Sequence, residues 1–342
     1  TMNRRVVGQH LRYSAFLLIL LMLILNVAPQ GVLAADKLVG IHTAQSVSQC
    51  MPWIAQETGL FQKYNLDFQL IYIGASPLAT AVMLGEDAEV SVGGGSAFVR
   101  AFVQGATDLV FIGAVKNILT HAIMTRPEIK KMEELKGKKV GVTRIGSNSH
   151  YFTVQAMRRS ALDPLRDITY IQTGREADAL TALISGSIDA ATVSPPFDAM
   201  ALDKGFHSVA YGPDLKIPYA ATGLGSRRSV IVKRPQVVGQ FMRVMAEAAK
   251  ILHADREFTY KVLAKRLRVN DRKILDAAYN TEIKALDARL NIKTEAIQAI
   301  LEEISQVDPR ANKVKAQDLI DRRYLNEMEK SGFFARLWTE KQ

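Results

Sequence analysis

Short apolar runs separated by small polar residues organise the first two thirds of the chain. Leu38 to His42 has the continuous apolar character of a buried parallel strand, and Thr43-Ala-Gln-Ser46 after it is a loop of small polar residues. A helix is expected from about Pro52, where proline suits a first turn, to Gly59. Leu66 to Ile73 alternates like a strand, and Gly74-Ala-Ser76-Pro77 opens a helix that Gly85 closes. Val90 to Val92 is the next strand. Gly93-Gly94-Gly95 follows, and Ser96 is placed to cap a helix carrying Phe98, Val99 and Phe102. Leu109 to Val115 reads as another buried strand.

The same order then recurs. Lys37-Leu-Val-Gly-Ile41 is answered by Lys138-Lys-Val-Gly-Val142, and Ala81-Val-Met-Leu-Gly85 by Ala182-Leu-Ile-Ser-Gly186, both at an offset of 101. Strands are expected at Val140–Thr143, Ile168–Ile171, Ala190–Val193 and Val209–Tyr211. Arg144 to Ser149 leads into one helix, Glu176 to Ile184 forms a second, and Ser194-Pro195-Pro196 precedes a third that ends at Gly205. Two similar α/β lobes imply a cleft between them. The chain must cross between lobes twice, and the expected crossings are about 120–124 and 221–225. Lobe 1 is then 36–122 with 225–342, and lobe 2 is 123–224. Beyond Pro235 the pattern is helical throughout, with amphipathic stretches such as Val237–Leu252 and Lys293–Val307. This extension has no counterpart in the repeat and is expected to pack on lobe 1.

Residues 1–35 stand apart. Arg4, Arg5 and Arg12 form a basic region, Ala15 to Leu25 is unbroken apolar sequence, and Val32-Leu-Ala34-Ala35 offers small residues for cleavage. Those are the three parts of a secretory signal peptide, and the apolar run is short of the roughly 20 residues of a membrane span. No cysteine stands at the cleavage site, so a lipid anchor is not expected. The expected mature form is a soluble monomer in the periplasm. The one cysteine, Cys50, precludes an intrachain disulfide and reads as a buried thiol.

The formal net charge of +10 falls to about +7 once the three presequence arginines are removed. The basic residues are interleaved with acids, as in Arg126-Pro-Glu-Ile-Lys130, so a solvated surface is expected and not a nucleic-acid interface. The residual positive balance favours an anionic solute. In a parallel sheet, ligands sit beyond the carboxyl ends of the strands. That gathers Thr43–Ser46, Gly93–Ser96, Arg144–Ser149 and Ser194–Pro196 around one cleft. Loops that enter helix N-termini expose free N–H groups, and Ser and Thr add hydroxyls. Ser46 and Ser147 coincide under the offset and are the first candidates. Arg144 could neutralise an anion, and Tyr151 could form an apolar wall. Trp53 is read equally as core or wall. His42, His121 and His150 match no metal-ligand spacing. There is no G-x-S-x-G elbow and no P-loop, so neither a catalytic set nor a cofactor is called for.

Three stretches carry a family resemblance: Pro52-Trp-Ile-Ala-Gln-Glu-Thr-Gly-Leu-Phe61; Leu135-Lys-Gly-Lys-Lys-Val-Gly-Val142 with Gly146-Ser147; and Gly186-Ser-Ile-Asp-Ala190 with Pro195-Pro196. Together they resemble the periplasmic substrate-binding proteins of the nitrate/sulfonate/taurine and thiamine-precursor ABC transport family, the SsuA/THI5-like group. The resemblance implies a type II periplasmic-binding-protein fold: two Rossmann-like lobes with a hinge and a cleft, here with a helical C-terminal extension. It also implies delivery of a small anionic or zwitterionic solute to a membrane permease driven by a cytoplasmic ATPase. Carried over residue by residue, the solute contacts are Thr43, Gln45, Ser46, Gly94, Ser96, Ser147, Ser149, Thr173 and Pro195. Two alternatives stand beside this. One is a solute-sensing adaptor for a membrane receptor. The other is a pyrimidine-precursor enzyme of the THI5-like type, whose cysteine-rich motif is absent here.

Overall fold

The computed structural model describes residues 34–339, so the expected signal peptide lies almost wholly outside the described residues. The remainder folds around two five-stranded mixed sheets. The first is built from β1 (Asp36–His42), β2 (Leu66–Tyr72), β3 (Val90–Gly93), β4 (Leu109–Ile118) and β10 (Pro218–Arg227) in the order β2-β1-β3-β10-β4. The second uses β5 (Ala122–Thr125), β6 (Lys138–Val142), β7 (Ile168–Gln172), β8 (Ala190–Val193) and β9 (His207–Tyr211) in the order β7-β6-β8-β5-β9. In each sheet four strands run in one direction, and one antiparallel strand, β10 or β5, lies fourth in the order between the third and the fifth. This exchange of one strand order between two lobes is the type II binding-protein architecture.

The repeat is real, but its offset is 100. Gly40 pairs with Val90 and Ile41 with Ile71, while Val140 pairs with Ala190 and Gly141 with Ile171. The helices Ser76–Leu84 and Glu176–Ile184 are 100 apart, as are β3 and β8. The left-handed residue after each helix is Glu86 (φ 67°) in one lobe and Gly186 (φ 76°) in the other. Gly85 closes its helix in a right-handed conformation one position earlier. Matching glycine to glycine therefore shifts the alignment by one residue.

The first crossing lies at 119–121, between β4 and β5. The second does not fall at 221–225. Those residues are inside β10, paired with β3 and β4 of the first sheet, and the chain has already returned over 212–217. Residues 218–224 thus belong to the first sheet. Their run Tyr219-Ala-Ala-Thr-Gly-Leu is buried on both faces, which is what a strand interior to that sheet requires.

The extension begins with the 20-residue helix Pro235–Ala254. Its Val238, Phe241, Met242, Met245, Ala249 and Leu252 recur at helical spacing and are buried in one core with Leu38, Trp53, Ile54 and Val110 of the first lobe. The extension also touches the second lobe. Tyr151 donates to the Ala299 carbonyl (3.2 Å), Gln155 to Glu303 (2.8 Å), and the Tyr211 and Thr281 hydroxyls lie 3.1 Å apart. It spans both lobes on the side of the crossings. Among the described residues, no helix is long and apolar enough to cross a membrane.

Candidate functional site

Between the sheets, at the carboxyl ends of the parallel strands, lies a narrow cleft lined by residues of both lobes. Thr43, Gln45, Ser46, Ser147 and Ser149 of the expected set line it. So do Asn148 and Ser194, from loops expected at the cleft, with Phe197 beside them, and also Gln49, Tyr72, Ser76, Lys116, His121, Arg175 and Glu176, which were not among the expected contacts.

The two strand-ending loops are closed by equivalent bonds. In the first lobe Gln49 Oε1 accepts from the N–H groups of Thr43 (2.8 Å) and Ala44 (2.9 Å), and Gln49 Nε2 reaches Thr43 Oγ1 (3.2 Å). In the second lobe Ser149 Oγ accepts from Thr143 N–H (2.9 Å), and Thr143 Oγ1 donates to Ser147 Oγ (2.8 Å). The matched pairs are thus Thr43 with Thr143 and Gln49 with Ser149, both at offset 100. Ser46 and Ser147 are not equivalent. Ser147 caps the helix Asn148–Arg159, whereas Ser46 precedes a single 3₁₀ turn and its hydroxyl faces Ser48 Oγ at 3.2 Å. Gln49 is 2% exposed and closes its loop alone. Gln49→Ala is expected to leave two N–H groups unpaired and to cost about 1–3 kcal/mol, read as a lower midpoint in urea at unchanged slope.

Six expected contacts lie elsewhere. Arg144 is exposed on the surface, because the loop turns it outward. Tyr151 packs on the Tyr219 ring at 4.5 Å, in the seam between the lobes. Thr173 spends its hydroxyl on the Val142 carbonyl (3.2 Å). Pro195 is buried beside the cleft, and its neighbours Ser194 and Phe197 supply the lining. Ser96 is not a helix cap. The helix is Gly95–Val103 with Gly94 as its cap, and Ser96 N–H donates to Tyr219 Oη (2.8 Å).

Gly94 stands where the second lobe enters the first. A Cβ there would overlap the Asn148 side-chain oxygen and stand 2.7 Å from Ser76 Oγ. Asn148 enters this space from the second lobe. Its amide donates to the Ala221 carbonyl (2.9 Å), and its oxygen accepts from Tyr219 Oη (2.8 Å). The glycine makes room for a bond between lobes. Its φ of −74° is open to any residue, so space and not backbone freedom requires it.

The floor of the cleft is ionic. Lys116 Nζ meets Glu282 Oε2 at 2.8 Å, and His121 Nε2 meets Glu176 Oε1 at 3.3 Å. Glu176 Oε2 accepts from Ser194 N–H (3.1 Å) and Oγ (2.6 Å). Burial pushes the Glu176 carboxyl up, but the bonds from His121 and Ser194 outweigh it and hold the group below the usual carboxylate range. Arg175 at the rim is committed to Asp178 through two 2.7 Å bonds. Lys116 had one visible signal: a lysine near the end of a strand that is otherwise buried must find a buried partner.

Trp53 is core, 3% exposed and edge-on to His42 at 5.4 Å. His42 and His150 are both pushed down to about 4 by burial, and each stacks on its own aromatic neighbours away from His121. Among the described residues no three His, Cys, Asp or Glu side chains come together as a metal-ligand group. Cys50 is fully buried in the core, and burial pushes its thiol far up, which leaves it inert as a nucleophile.

The family model described as NMT1/THI5 like matches residues 50–257, more than half of the chain. The chain belongs to this family. The "Putative binding protein BAB2_1146" of Brucella abortus (strain 2308) is 24% identical over 234 residues, 66% of this chain and 70% of that one. Among solved structures, the alkanesulfonate-binding protein SsuA from Xanthomonas axonopodis pv. citri, bound to MOPS, superposes with a TM-score of 0.70. It is 21% identical and covers 84% of this chain and 98% of its own. The desulfurization enzyme DSZB superposes at 0.61 with 12% identity, covering 86% of this chain and 99% of its own. At these identities the superpositions establish a shared fold. That fold hosts a binder and an enzyme alike, so function has to come from the site.

Proposed function

We propose that the chain is the extracytoplasmic solute-binding component of an ABC importer. In this reading it works in the periplasm, closes its two lobes on a small anionic or zwitterionic organic solute, and delivers it to a permease with a cytoplasmic ATPase. The observation that carries the reading is the pair of facing loops, Thr43–Gln49 and Thr143–Ser149, which line one cleft from two lobes with hydroxyl and amide side chains. The Asn148 bonds to Ala221 and Tyr219 across the seam support closure as the working motion. The family membership and the binding-protein relative support a binder over an enzyme. The buried Cys50 removes the chain's single thiol from the cleft.

Isothermal titration with alkanesulfonates, taurine, nitrate, short carboxylates and pyrimidines tests the solute class. A sulfonate, nitrate or carboxylate-bearing compound is expected to bind. Binding confined to neutral or cationic compounds would overturn the class. Ser147→Phe fills the cleft from a residue that is 2% exposed, and is expected to abolish that binding while melting stays cooperative. Unchanged affinity would remove Ser147 from the site.

A further inference from the structure

One helix of the extension ends on an unfavourable charge. Thr294–Ser305 carries Glu302 and Glu303 in its last turn and no basic residue there. The carbonyl end of a helix is partially negative and disfavours a carboxylate. Glu302 is exposed to water, but the Glu303 side chain is only 16% exposed and faces the second lobe. Gln155 Nε2 donates to Glu303 Oε2 at 2.8 Å, and Arg158 Nη1 donates to the same oxygen. Arg159 holds the Gln155 amide in that orientation by donating to its oxygen at 2.8 Å. Tyr151, Gln155 and Arg158 lie at i, i+4 and i+7 on one face of the helix Asn148–Arg159, and Tyr151 donates to the Ala299 carbonyl, one turn before Glu303.

The two helices belong to different bodies. Thr294–Ser305 is seated on the first lobe, where its Ile297, Ile300 and Leu301 are buried with Phe98, Val99 and Phe102. Asn148–Arg159 starts at the cleft, with Ser147 as its cap and Asn148 bonded across the seam. One rigid helix therefore carries cleft residues at its first turn and the donors to Glu303 at its last. We infer that Glu303 is a positioning residue for solute capture: with Gln155 and Arg158 it forms an ionic clasp that ties the extension to the second lobe and holds the loop Thr143–Ser149 against the cleft, without touching the solute. This rests on the reading of lobe closure as the working motion. The clasp raises the fraction of molecules in the binding arrangement before solute arrives, and apparent affinity scales with that fraction. A carboxylate held by two donors from another lobe, one of them charged, has the strength to offset its poor place on its own helix.

Cys50 is buried and inert, so spin labels at Leu165→Cys in the second lobe and Val232→Cys in the first, residues 80% and 74% exposed, report the separation of the lobes with no solute present. The labelled protein with the clasp intact is expected to give a narrow distance distribution. Glu303→Arg sets like charges face to face and is expected to broaden and displace it. Exchanging the charges, Glu303→Arg with Arg158→Glu, is expected to restore the narrow distribution, which a role in helix packing alone would not do. Glu303→Gln keeps the shape and loses the charge. It is expected to shift the distribution the same way by less, and it carries the test where Glu303→Arg does not fold. Affinity for ethanesulfonate, read by titration, should fall by about fivefold or more in Glu303→Arg and return to within about twofold in the exchange. Unchanged distances in the folded variants overturn the proposal, and so does a displacement that the exchange fails to reverse. Should the protein with the clasp intact not bind ethanesulfonate, that result counts against the solute class proposed above, and the label distances, which need no solute, still decide the clasp.

Discussion

Gly94→Ala is expected to hold the two lobes apart while leaving each lobe folded. The backbone at Gly94, φ −74° and ψ 143°, is one that alanine adopts freely, so no local strain arises. The conflict is between lobes. The new methyl group would occupy the place of the Asn148 oxygen and crowd Ser76 Oγ at 2.7 Å. Forced overpacking of this kind costs about 1–3 kcal/mol. Displacing Asn148 also forfeits its bonds to Ala221 and Tyr219, each worth about 0.5–1.5 kcal/mol net. Affinity for the solute should therefore fall by about ten- to hundredfold or more, at 1.4 kcal/mol per factor of ten. Small-angle scattering with saturating solute should show a larger radius than wild type. Adding Asn148→Ala removes the clashing oxygen and should recover part of the lost affinity. A Gly94→Ala protein with unchanged affinity and radius would show that Asn148 does not govern closure.

The role of Gly94 also marks where sequence reading stops. The strands and helices were legible because apolar runs and turn residues mark them locally. Leu38–His42 and Ser76–Leu84 appear where the pattern placed them. The lobed plan was legible because the order of elements repeats. Its register was not, because Gly85 and Gly186 do different jobs at different helix positions. That slip promoted Ser46 and Ser147 as partners and hid Gln49, whose side chain does in one lobe what Ser149 does in the other. The second crossing was displaced for a related reason. Tyr219-Ala-Ala-Thr-Gly-Leu is rich in small residues and resembles a linker, yet Gly223 is small because Phe111 presses against it, and Ala220 because Gly95 opens its helix there.

The ionic floor was hidden by distance along the chain. Lys116 and Glu282 are separated by 166 positions, and no local pattern ties a strand lysine to a helix glutamate. Ending the expected strand at Val115 placed Lys116 in a loop, where an unpaired lysine raises no question. In the structure the strand continues to Ile118, and the lysine then demands a partner. Gly94 and Arg144 are placed in opposite ways beside the cleft. The glycine makes room for Asn148 of the neighbouring lobe, and the arginine is exposed to solvent.

Asp198→Asn is expected to stabilise the protein at pH 8 and to lose that advantage in acid. Asp198 is 6% exposed on the helix Phe197–Asp203, which packs against Arg272–Ile283 of the extension. Burial raises its carboxyl to about 7, with Glu282 and Glu176 adding repulsion and the bond from Ala199 N–H (2.7 Å) working against them. Below the ordinary value of 3.8, folded and unfolded chains both hold the proton and the site costs nothing. As pH rises the unfolded chain releases it first, so stability falls until the folded group ionises near 7. Above that point the full cost remains, with a ceiling of about 4 kcal/mol at 1.36 kcal/mol per pH unit. Asparagine keeps the oxygen that Ala199 uses and carries no charge. His42 and His150 impose the opposite slope, because the unfolded chain protonates them near 6.5 and the folded one only near 4. They are common to both proteins and cancel in the difference. Urea unfolding of the two proteins from pH 4 to pH 8 should give a gap that opens with rising pH and levels off above about 7. A gap independent of pH, or none at pH 8, would mean that Asp198 sits in a wetter and less repulsive place than its burial and its acidic neighbours imply.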